Sequence, residues 1–143
     1  MARKCKSLYE AIALIKSAHS ASATKVGKDM VIETRKIVGE ELIRTGNGSM
    51  RTGATERSVD ANITPYNIRI FLDDTGAHKS VVSPNPSVYL PAILESGNAT
   101  YMPRGLERGE TQIEERVRLK AETDAPNIYV RQMRALGINA YRK

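Results

Sequence analysis

The sequence predicts an α+β fold: N-terminal helices packed on a small, mostly antiparallel sheet, followed by a charged helix and a short C-terminal helical extension. Three observations predict it. Apolar residues recur at helical spacing through the first 45 positions. The period drops to two between positions 59 and 72. After a long polar stretch it returns to helical spacing from 104 onward.

The first helical stripe is Leu8, Ile12, Ile15 and His19. Ser7 is placed to cap it, and Glu10 follows three residues later as in a capping box. Met30, Val31, Ile37, Val38 and Leu42 form a second broad face, with Lys28, Glu33, Arg35, Lys36 and Glu40 mostly opposite. Gly27 or a neighbour interrupts, so residues 7–45 read as one interrupted helix or two consecutive helices, closed by Gly46.

Residues 45–53 are rich in Gly and polar residues and read as a turn. Val59, Ala61 and Ile63 then alternate with Asp60, Asn62 and Thr64. Beyond Pro65, Tyr66, Ile68, Ile70 and Leu72 alternate with Asn67, Arg69 and Phe71. This predicts a hairpin turning near Pro65. Phe71 breaks the polar alternation, so that face is expected to be partly covered.

Residues 73–87 read as a long polar loop, followed by a short helical turn that Ser87 caps and Gly97 ends. A short strand is expected over 98–102. The charged helix is predicted over 104–122, with a narrow seam of Leu106, Ile113, Val117 and Ala121. A break is expected at Asp124-Ala125-Pro126. The last segment places Tyr129, Met133 and Leu136 on one face, with Gly137 as its stop. Residues 1–125 thus read as one domain and 126–143 as an extension that needs a docking site.

The chain has 143 residues, 41% apolar, with no Trp and a single Phe. Its core must therefore rest on aliphatic side chains. Such a modest core favours a partner that covers more surface. Net charge is +6, and the surplus is on the flanks. Residues 1–46 carry nine Lys/Arg against five Asp/Glu, 47–103 four against five, and 104–143 nine against six. Basic flanks suit an acidic partner or nucleic acid, but they lack the interleaved aromatics of a single-strand platform. Any DNA contact is expected to be electrostatic and independent of sequence.

Cys5 is the only cysteine, which excludes an internal disulfide. No apolar run reaches the length of a membrane span, so no membrane partner is expected. Arg3, Lys4 and Lys6 resemble a signal-peptide start, but Glu10 and Lys16 interrupt the apolar stretch behind them.

Catalytic chemistry finds little to work with. Asp73, Asp74 and His78 are near one another, but no second cluster joins them to complete a metal site. Cys5 and His19 are 14 positions apart, about 21 Å along a helix. The glycines at 46, 48 and 53 lack the Lys-Ser/Thr of a phosphate loop. Glu40-Glu41, Asp73-Asp74 and Glu114-Glu115 are adjacent pairs, and on a helix adjacent residues diverge by about 100°. No catalytic, cofactor-binding or metal-binding residue is assigned, and the chain is expected not to be an enzyme.

Three separated motifs carry a resemblance. Thr52-Gly53-Ala54 with Arg57-Ser58-Val59 marks the passage from the N-terminal helices into the first strand. Tyr89-Leu90-Pro91-Ala92-Ile93-Leu94-Glu95-Ser96-Gly97 follows the long loop. Met102-Pro103-Arg104-Gly105-Leu106-Glu107 leads into the charged helix. In order and spacing, over residues 30–122, these resemble the tail-completion or neck-protein family of long-tailed bacteriophages. Ala54 or Thr55 departs from that pattern, as do Pro91, Ile93-Leu94, Asn98 and Arg104-Gly105-Leu106.

The resemblance implies a structural virion protein without enzymatic activity or cofactor. Such a protein forms a ring with itself, six-fold in number, at the head–tail junction. It contacts other neck, connector or tail proteins and lets DNA pass. It is made in the bacterial host cytoplasm and ends in the virion neck or tail. The residues assigned to a subunit interface or lumen are Arg104, Arg108, Glu114, Glu115, Arg116, Arg118, Tyr129, Met133 and Leu136. The alternative is a small basic nucleic-acid-binding or regulatory protein.

Overall fold

The structure, a computed structural model, describes residues 2–44, 54–72 and 112–142. The fold is α+β. Helix α1 spans Leu8–Arg44, a short turn of helix α2 spans Ala54–Arg57, and strands β1 (Val59–Ile63) and β2 (Ile68–Leu72) pair as a two-stranded antiparallel sheet. Helix α3 spans Ile113–Ala135. The expected loop over 73–87, the turn over 87–97, the strand over 98–102 and the start of the charged helix lie outside the described residues.

Packing divides the chain into two compact units. The first comprises Met1–Val31, Ala61–Ile70 and Arg118–Lys143, and the second Ile32–Asp60 and Phe71–Val117.

The capping box at the start of α1 forms as the spacing predicts. The Glu10 amide donates to Ser7 Oγ at 3.1 Å, and the Lys6 amide donates to Glu10 Oε2 at 2.7 Å. The helix then runs 37 residues without interruption. Gly27 does not break it, contrary to expectation, and the cause is steric. A Cβ at position 27 would overlap Ile63 Cδ1 and come within 2.6 Å of Ile63 Cγ1. Glycine is there so that β1 can approach the helix, not because the chain turns.

In the first unit the buried apolar residues are Ala18, Ala23, Val26, Met30 and Met133. In the second they are Ile37, Val38, Leu42, Val59 and Ile113. The predicted second face of α1 is therefore largely correct. The predicted first stripe is not a core face: Leu8, Ile12 and Ile15 are exposed, and only His19 is partly covered.

The hairpin turns at Pro65 as expected. The Thr64 amide donates to the Asn67 carbonyl at 2.8 Å, and the Asn67 amide donates to Thr64 Oγ1 at 2.9 Å. Exposure alternates along β1, with Val59 buried and Asp60 and Asn62 exposed. Tyr66 belongs to the turn and is exposed instead of facing inward with β2. Phe71 is half-buried, as its break in the alternation suggests.

The break expected at Asp124-Ala125-Pro126 is absent, because Pro126 is inside α3. Proline removes one backbone donor and crowds the preceding turn. Two side chains of this stretch bond back to helix carbonyls. Asn127 Nδ2 donates to the Thr123 carbonyl at 3.1 Å, and Thr123 Oγ1 donates to the Leu119 carbonyl at 3.0 Å. Beyond Pro126 the helix is held by its own unit, since Met133 is buried there and Tyr129 reaches His19. Residues 126–135 thus continue the charged helix and pack in the chain's own core.

Gly137 ends α3 as predicted. Its φ of 89° is in the left-handed region, the Ile138 amide donates to the Met133 carbonyl, and its own amide donates to the Arg134 carbonyl. This is a Schellman closure.

The Gly27–Ile63 approach makes a signed prediction. Gly27→Ala gains about 1 kcal/mol of helix propensity, but overpacking costs about 1–3 kcal/mol. The net expectation is a lower melting temperature. In an Ile63→Ala background the overlap is gone, and the same Gly27→Ala change is expected to raise it. Urea denaturation of the four proteins in this cycle measures the reversal.

Candidate functional site

Two constellations stand out, one in each unit. In the second unit, Glu41 is buried on α1, with only 2% of its side chain exposed. A buried carboxylate needs donors to each oxygen, and Glu41 has several. Arg44 Nη2 donates to Oε2 at 2.6 Å, and Arg44 Nε lies 3.1 Å from both oxygens. The Gln112 amide donates to Oε2 at 2.9 Å, and Arg116 Nη1 donates to Oε1 at 3.1 Å. Arg116 Nη2 also donates to Glu40 Oε2 at 2.5 Å.

The Arg44 hydrogen bonds hold the Glu41 carboxyl at a pKa of about 2, against the opposing effect of burial, with help from the Gln112 amide and Arg116. The Arg116 hydrogen bond likewise lowers Glu40. Arg44 is raised mainly by its bond to Glu41, and Arg116 mainly by its bond to Glu40. A carboxylate this firmly ionised exchanges no proton near neutral pH. Its chemistry is anchoring: it ties the start of α3 to α1 within this unit.

In the first unit, His19, Tyr66 and Tyr129 line an open groove of about 690 Å³. Ala23, Val26, Ala121, Ala125 and Val130 supply much of its apolar wall, and Glu122, Tyr141 and Arg142 also border it. His19 Nδ1 and the Tyr129 hydroxyl are 2.5 Å apart, a hydrogen bond whose donor depends on the imidazole tautomer. The His19 ring is edge-on to Tyr129 at 5.7 Å between centroids and tilted to Tyr66 at 5.6 Å. His19 Nε2 is buried without a hydrogen-bond partner among the described residues. The groove is therefore an apolar, aromatic-walled recess suited to holding an apolar group.

The residues assigned to an interface or lumen separate into distinct positions. Arg104 and Arg108 lie outside the described residues, as do Asp73, Asp74 and His78. Arg116 is engaged by Glu40 and Glu41. Arg118 donates to Glu122 at 2.7 Å. Glu114 and Glu115 are exposed. Met133 is buried in its own unit. Tyr129 lines the groove, and Leu136 is exposed beside the helix end.

The partnership of Glu41 with Arg116 was not legible in the sequence, because 75 positions separate them. Nor did any local pattern join His19 to Tyr129, 110 positions apart. Among the described residues no group of three or more His, Cys, Asp or Glu is arranged to hold a metal ion. Among them, too, no helix is long and apolar enough to cross a membrane.

The Glu41 anchor predicts a pH dependence. Its folded pKa of about 2 is below the ordinary Glu value. The stabilisation is therefore complete above the unfolded pKa of about 4.3 and is lost as pH falls toward 2. It amounts to about 3 kcal/mol. Glu41→Gln is expected to cost about that much at pH 7, and its difference from wild type is expected to shrink toward pH 2. Urea unfolding of both proteins across that range measures it, and a pH-independent difference would refute the assignment. Comparison with protein-family models, curated proteins and solved structures finds no match to this chain.

Proposed function

We propose that this chain is a non-enzymatic structural subunit that assembles with itself into a ring at the head–tail junction of a bacteriophage. The observation that carries the assembly part is the uncovered apolar face at the start of α1. Leu8, Tyr9, Ile12 and Ile15 are exposed on one long helix, although apolar residues at helical spacing ordinarily face a core. A contiguous exposed apolar patch on a small protein marks an interaction site.

The junction part rests on the sequence motifs. Of the first motif, Ser58 and Val59 are buried where the helical region passes into β1. The alternative, a small basic nucleic-acid-binding protein, draws on the net charge of +6, of which Lys25, Arg44, Arg116, Arg118 and Lys120 are held by carboxylates of the same chain.

Electron microscopy tests the proposal directly. The purified chain is expected to form rings, and labelled chain in particles is expected at the head–tail junction. A protein that stays monomeric, or a label found elsewhere on the particle, would refute it.

A further inference from the structure

Among the described residues, two apolar surfaces of the first unit are open, and one face of α1 contributes to both. At 100° per residue, Leu8, Ile12 and Ile15 project into the same sector as His19, Ala23, Val26 and Met30. Ala18, Ala23, Val26 and Met30 on or beside that face are buried. The first two turns are open: Leu8 is 78% exposed and Tyr9, beside the sector, 86%, while Ile12 and Ile15 are about half exposed. Further along the same face, His19, Ala23 and Val26 form one wall of the open groove.

We infer that the apolar stripe of one copy of this chain fills the groove of another. The chain cannot do this to itself. Stripe and groove wall are on the same unbroken helix, so Leu8 stays about 16–27 Å along the axis from His19 and Val26. The stripe's three side chains, together with Tyr9 beside them, expose on the order of 500 Å², more than half of the roughly 800 Å² per partner that a stable interface buries. The chemistry matches, because aliphatic side chains meet a recess walled by Ala, Val and Tyr. A contact between two unlike surfaces leaves each copy with one stripe and one groove for its neighbours, which generates a closed or open series. The inference deepens the ring reading and rests on it for the number of copies.

Sedimentation velocity on designed variants tests the contact. Leu8→Glu with Ile12→Glu spoils the stripe at exposed positions. Ala121→Trp fills the groove, and Tyr66→Glu, at a residue 92% exposed on the groove lip, is a second groove variant that spares the fold. Circular dichroism checks folding, and Tyr66→Glu decides if Ala121→Trp misfolds. Each variant alone is expected to lose self-association by at least about tenfold. An equimolar mixture of stripe and groove variants is expected to form a two-copy complex, because each supplies the surface the other lacks. Groove variants that assemble like wild type, or a mixture that stays monomeric, would overturn the inference. Rescue in the mixture, with wild type stopping at two copies, would uphold the contact and sink the ring. Rings that persist in both variants would sink the contact and leave the ring standing.

Discussion

Burying the Glu41 carboxylate constrains the whole second unit. An ionised group out of water is tolerated only where fixed donors replace its hydration. Arg44, one turn along the same helix, supplies part of that shell, and the rest comes from the Gln112 amide and Arg116 at the start of α3. The amide is a donor that a helix start otherwise leaves without an intrahelical partner, so the bond satisfies both sides. A negative charge there also meets the favourable end of the helix dipole. Once these bonds form, the register of α3 in this unit is set. Ile113, next in the chain, is buried in the same unit as Val38, Leu42 and Val59.

The first unit is organised by closeness instead of charge. Gly27 admits Ile63 against the helix, and Ala18 and Ala23 keep the buried face of α1 small. Larger residues on the other elements, Tyr129 and Met133, fill the space that small ones leave. The fit is incomplete around His19, where a groove remains and an imidazole nitrogen is buried without a partner. A polar atom left in that state destabilises the fold slightly.

Local signals in the sequence were reliable where the physics is local. Ser7 with Glu10, the alternation through β1, the turn at Pro65 and the stop at Gly137 each depend on a few adjacent residues, and each could be read directly. Gly27 and Pro126 misled for one shared reason. Both are helix breakers in isolation, and both are overridden by packing: Ile63 sits against Gly27, and beyond Pro126 the helix is held by the buried Met133 and the Tyr129–His19 bond. The stripe from Leu8 to Ile15 was read as core because periodicity reports which face is apolar, not whether anything covers it. The Glu41 anchor and the His19–Tyr129 pair had no sequence signature, since their members are scores of residues apart.

The backbone bond from the Arg3 amide to the Gly137 carbonyl, 2.9 Å long, has a consequence during synthesis. It ties together two points 134 positions apart, and the first unit also needs Met133 and Tyr129 from the same late segment. On the ribosome, α1 emerges long before these residues exist. At about 5–20 residues per second the wait between position 31 and position 118 is on the order of ten seconds. During that interval the hairpin is available to Gly27, but the face of α1 that meets Tyr129 is not covered, so the first unit completes its packing only after position 133 has been made.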